Sequence, residues 1–248
     1  MADTTQKKDP RLLSHNATRR LIGWLGFAFP IALIVYAQFW PDMETLQPTI
    51  SHFYYTQAGD LLVGVLVAIG VFLVTYQGYE EPDNWPWFLP GDRTAARLAA
   101  LGAIGVAFFP TDVLNDRSIC EVTQAIATCA SQTLLDDQDV VTGIAANVSN
   151  LHKASAALFF VAIAYFCLAL FPLGPKGKPE RIAELWLYYA CGAVILICLA
   201  LLAFTLGGVE AGDGPRVFWL ETVAVWAFSL AWLVNGETLA WAPGFKTA

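Results

Sequence analysis

LIGWLGFAFPIALIVYAQFW, residues Leu21–Trp40, decides the fold: the stretch passes without one formal charge. As a helix it would be about 30 Å long, the thickness of a bilayer's hydrocarbon core. Working outward, five further runs are apolar or nearly so: Leu61–Tyr79, Leu98–Pro110, Ala154–Pro172, Ile182–Leu206 and Val217–Val234. Hydrocarbon offers no hydrogen-bond partner to a bare backbone, so only helices or closed barrels cross it. Runs this long do not read as the ten-residue strands of a barrel. The expectation is an all-α polytopic membrane protein, six transmembrane helices in one bundle over residues 21–238. Tails at 1–20 and 239–248 and a long loop at 111–151 complete the chain.

Composition agrees. Charged residues make up 14% and hydrophobic residues 56% of the 248, against about 25% charged in an ordinary soluble domain. Six spans nearly exhaust the length and leave no room for a separate soluble domain. A net charge of −7 argues against a nucleic-acid partner, which needs clustered Lys and Arg. The sequence holds no phosphate-binding loop, dinucleotide fingerprint or hydrolase elbow, and it identifies no cofactor.

Lys and Arg set the expected orientation. Lys7, Lys8, Arg11, Arg19, Arg20, Arg93, Arg97, Lys176, Lys178, Arg181 and Lys246 fall on one side, and Arg117, Lys153 and Arg216 on the other. Both termini are therefore expected to be cytoplasmic, with a bacterial inner membrane as the setting. Leu21–Trp40 is too long for the core of a signal peptide and no small-x-small site follows it, so it is read as a retained first span. Cys120 and Cys129 share the long external loop, where an oxidising compartment would allow a disulfide; two unpaired thiols are the alternative. Cys167, Cys191 and Cys198 fall inside spans and read as packing residues.

Pro30 should kink the first span. Ala95, Ala99, Ala103 and Ala107, beside Gly102 and Gly105, put the third span inside the bundle, because small residues let helix backbones approach closely. Trp24, Trp85, Trp87, Trp186 and Trp241 read as an interfacial belt. Glu184 reads as a carboxylate favoured by the N-terminus of its helix.

Chemistry has few places to reside. His52 and His152 map to external ends of spans, with Asp60, Asp112, Arg216 and Glu221 at the same level and Ser51, Tyr54, Tyr55 and Ser155 near them. Polar groups at a membrane edge are costly unless they pair or face a wet cavity, so their common depth suggests a site. Three readings stand. In the first, His152 is a general base or acid oriented by Asp112 or Glu221, with Ser51 or a water attacking a lipid ester. In the second, His52, His152 and Asp60 hold a metal, although no His-x-x-x-His pair supports it. In the third, these groups are hydrogen-bonding fixtures of helix ends, and Glu221 pairs with Arg216. A haem held by His52 and His152 would require ligands deeper within the spans.

These same residues carry a family resemblance. Pro48-x-Ile50-Ser51 ahead of the second span resembles the Pro-x-Ile-Ser element of the DRAM and Sfk family of six-span proteins. Phe109-Pro110-x-Asp112 closing the third span, with His152-x-x-x-Ala156 and Phe159-Phe160 in the fourth, is similar to uncharacterised prokaryotic relatives of that family. The likeness runs from Leu21 to about Gly236, and departs from the pattern at His52, at the paired Tyr54 and Tyr55, and in the cysteine-bearing loop. It implies six spans, inside termini and attention to Ser51, Asp112 and His152. Eukaryotic members are linked to GPI-anchor lipid remodelling and to autophagic or lysosomal membranes. A looser similarity is to the CREST group of membrane hydrolases, but the paired His of their last span is missing here, which counts against their metal chemistry.

The functional expectation is an integral membrane protein that binds lipid or serves as an accessory subunit of a membrane complex, with a polar site at the outer leaflet. Its partners would be membrane lipids and proteins of that complex. The alternative is a lipid-ester hydrolase or acyl-transfer enzyme using His152, Asp112, Ser51 and Glu221. A transporter ranks third, because no span carries an ionisable residue near its middle.

Overall fold

The computed structural model describes residues 10–39, 46–78, 85–111, 138–206, 215–239, 241–242 and 245. Regular structure among them is helical throughout: α1 (Pro10–Phe39), α2 (Gly59–Thr75), α3 (Asp92–Phe108), α4 (Gln138–Tyr165), α5 (Ile182–Leu206) and α6 (Arg216–Asn235). A 3-10 turn over Ser51–Tyr55 precedes α2, and a π-helical turn, Phe166–Leu170, prolongs α4. Four segments are long and apolar enough to cross a membrane: Asn16–Phe39, Val148–Leu173, Pro179–Phe204 and Arg216–Asn235. α2 and α3 are shorter, at 17 residues each.

Each helix packs on its neighbours in sequence, and α6 packs on α1, so the six close a ring. Contacts at the two ends show that successive helices run up and down. Phe218 at the start of α6 donates its N–H to Pro48, 2.8 Å away, in the segment before α2. At the opposite end the Arg19 guanidinium of α1 lies 3.2 Å from the Tyr76 hydroxyl after α2 and 3.4 Å from the Asn235 carbonyl closing α6. Arg20 donates to the Gly236 carbonyl at 2.6 Å. The last carbonyls of a helix lack intrahelical partners, and two arginines of α1 cap those of α6.

Polarity misplaces two helix starts. α1 begins at Pro10, within the expected tail, and Arg19 is 2% exposed. α4 begins at Gln138, so the last third of the expected loop 111–151 is helix. Hydropathy ends a run at the first polar group, whereas a helix continues while its backbone bonds continue. α1 also passes Pro30 as one assigned helix.

α3 packs as its small residues predict. Ala95, Ala99, Ala103 and Ala107 are buried, and a Cβ on Gly102 would lie 2.6 Å from the backbone nitrogen of Phe159 in α4. The core divides in two. Near the Arg19 end, Trp232 is wholly buried among Tyr76, Phe166, Phe171 and Phe228, with ring centroids 5.1–6.2 Å from its own. Near the other end, Phe53 and Phe218 meet at 6.0 Å above Phe29 and Leu33.

Candidate functional site

Residues 46–58 fold across the mouth of the ring, and three helices or helix ends hold them there. Pro48 accepts from Phe218 N–H, and the Ile50 N–H donates to Glu221 Oε2 at 2.6 Å. Ser51 Oγ lies 2.9 Å from His152 Nε2 in α4. The Tyr55 hydroxyl donates to the Thr111 carbonyl, 2.6 Å away, beyond α3. Tyr55→Phe removes that donor and is expected to cost about 1 kcal/mol, read as a lower melting temperature in detergent with the helix content unchanged.

His152 is 5% exposed and engaged through both ring nitrogens. Nδ1 lies 2.6 Å from the Phe109 carbonyl. A carbonyl only accepts, so Nδ1 carries the proton; Nε2 of the neutral ring is then bare and accepts from Ser51. The Phe109 carbonyl is available because Phe109 caps α3 in an extended conformation and Pro110 prevents another turn.

Beneath Ser51 lies a cavity with about 590 Å³ of empty space, counting its mouth. Phe29, Leu62, Leu66, Ile69, Val106, Ala156, Phe159, Phe160, Val225 and Phe228 line it, so α1, α2, α3, α4 and α6 all contribute walls. Its polar lining is Ser51 and Glu221, both at the end nearest residues 46–58. From Glu221 to Phe228 along α6 is about 10 Å at helical rise.

The expected polar cluster assembles in part. Ser51 and His152 meet, and Glu221 joins them through the Ile50 backbone. Glu221, expected to pair with Arg216, accepts the Ile50 N–H at Oε2. His52 turns to its own segment: Nδ1 lies 2.6 Å from Thr49 Oγ1, which also accepts the His52 backbone N–H at 3.0 Å.

The metal set of His52, His152 and Asp60 does not form. Asp60 is exposed on the first turn of α2, and no three His, Cys, Asp or Glu side chains among the described residues are grouped to hold an ion. The nitrogen of His152 that would ligate a haem iron, Nε2, is engaged by Ser51 Oγ at 2.9 Å. Ser155 packs against Gly105 as part of the α3–α4 contact. Asp112, Cys120 and Cys129 lie outside the described residues. Cys167, Cys191 and Cys198 are buried free thiols.

At the other end, Glu184 is 4% exposed and grips Arg181 through two bonds of 2.6 and 2.8 Å, while the Tyr188 hydroxyl donates to it at 2.9 Å. It is one member of a hydrogen-bonded triad, more than a carboxylate favoured by a helix end.

Sequence reasoning passed over Thr49, the Phe109 carbonyl and the Ile50 N–H. The last two are backbone groups with no side-chain signature; Pro110, marking a helix end with unsatisfied carbonyls, was the available signal. No protein-family model, curated protein or solved structure matches the chain. The DRAM and Sfk resemblance therefore rests on the short motifs quoted above.

Proposed function

We propose that this chain is an integral membrane protein of six spans, with both termini cytoplasmic in a bacterial inner membrane, and that it binds a lipid by drawing an acyl chain into the ring's cavity. Several features support the spans. The outward faces are apolar: Val35, Val71, Leu101, Val161, Ile197 and Phe204 are 49%, 51%, 62%, 51%, 58% and 79% exposed, an arrangement suited to lipid. α2 and α3, at about 25 Å each, lie in the same up-and-down ring as the four longer helices. In membrane vesicles, Gln57→Cys and Trp87→Cys should react with impermeant thiol reagents from opposite faces; reaction from one face removes the six-span reading.

The cavity carries the lipid reading. Its walls are aliphatic and aromatic, and its polar lining residues, Ser51 and Glu221, share one end, as an acyl chain with a carbonyl or headgroup there requires. Leu66→Trp fills the space from α2. Lipid retained through purification, measured by native mass spectrometry, should fall by at least about tenfold, equivalent to 1.4 kcal/mol of binding. Unchanged retention in a variant of undiminished melting temperature would remove the reading.

A further inference from the structure

We propose that Ser51 is a nucleophile activated by His152, and that the site transfers the acyl group of a lipid ester held in the cavity. This deepens, and rests on, the acyl-chain reading above. Two independent features coincide at one oxygen. Ser51 Oγ is 2.9 Å from a nitrogen whose tautomer is fixed as an acceptor by the Phe109 carbonyl. Ser51 also lines the apolar cavity at its polar end, beside Glu221, where a bound acyl chain would place its carbonyl. A serine that only staples a loop to α4 has no need to face that space.

The chemistry follows from those contacts. Ser51 Oγ bonds to the acyl carbonyl carbon as its proton passes to His152 Nε2. The bond from that carbon to the alcohol oxygen breaks, and the imidazolium returns the proton to the departing alcohol. Water or a second alcohol then attacks the acyl-serine, losing its proton to Nε2, and Ser51 leaves with that proton restored. The Phe109 carbonyl holds the ring and its Nδ1–H throughout, in the place a carboxylate takes in three-membered sets. Glu221 is a positioning residue: its bond to the Ile50 N–H sets the backbone one residue before the nucleophile.

The test is reaction of the purified full-length protein with a long-chain alkyl fluorophosphonate, followed by intact mass and peptide mapping. The wild type should gain one adduct, on Ser51. Ser51→Ala should gain none. His152→Gln can bond to both former partners but cannot take up the proton, so its labelling should slow by at least about 100-fold at an unchanged melting temperature. Should His152→Gln fail to fold, the wild-type adduct and its loss in Ser51→Ala still decide. Wild type that retains lipid yet gains no adduct at Ser51 overturns the proposal and leaves lipid binding standing. Equal labelling of a folded His152→Gln also overturns it. Protein with neither lipid nor adduct removes both readings.

Discussion

Trp232→Ala should destabilise the protein more than any other single truncation in the core, by about 2–4 kcal/mol. The same change in a water-soluble core costs about 3–5 kcal/mol. That figure combines transfer from water with the cavity left behind. In a bilayer the reference state is a set of inserted helices surrounded by hydrocarbon, so most of the transfer contribution vanishes and lost packing remains. Packing is unusually concentrated here. The indole is 0% exposed and touches rings from the end of α2, from the π turn after α4 and the 3-10 turn Phe171–Leu173 that follows it, and from α6 itself. Those neighbours are anchored by other contacts and cannot collapse into the gap. Thermal melting in detergent, followed by size-exclusion fluorescence, measures the loss. A shift no larger than that of Tyr55→Phe would mean that these rings do not hold the helices together.

The second large effect is expected from Gly102→Leu. A Cβ at Gly102 would meet the Phe159 nitrogen at 2.6 Å and the Phe159 Cα and Ser155 carbonyl oxygen at 2.8 Å. Backbone atoms have no rotamer to escape into, so α3 and α4 must separate. The cost should reach at least about 3 kcal/mol, the upper part of the overpacking range. Separation also draws the Phe109 carbonyl away from His152, so reactivity at Ser51 should fall along with stability. Gly102→Ala should be milder but still harmful, since it introduces the same first atom. A Gly102→Leu protein that is monodisperse and melts like the wild type would show that the two helices are not in close contact.

Helix identity was readable in the chain because apolar length is a one-dimensional property. Leu21–Phe39 of the first run falls within α1, and Ile182–Leu206 matches α5. Helix starts were not readable where the polar first turns of α1 and α4 continue the same backbone pattern. At the mouth, Ser51 and His152 could be picked out because polar side chains at a span's edge are few. Their partnership was not visible, since it bridges 101 positions. The Phe109 carbonyl, a group every residue possesses, engages the imidazole at Nδ1, and the role expected of Asp112 falls outside the described residues. Likewise His52 was grouped with His152 by depth alone, whereas Thr49, three positions away, engages it.

The seam between α1 and α6 bears on how the molecule is built during translation. Gly23 and Gly26 bring α1 against Leu233, Phe228 and Ser229, and Arg19 and Arg20 find carbonyls at Asn235 and Gly236. None of these partners exists when the first helix leaves the ribosome. The nascent protein must therefore wait, with Arg20 and a glycine-lined groove uncovered, until the sixth helix arrives. Insertion factors or neighbouring lipids have that interval in which to shield it.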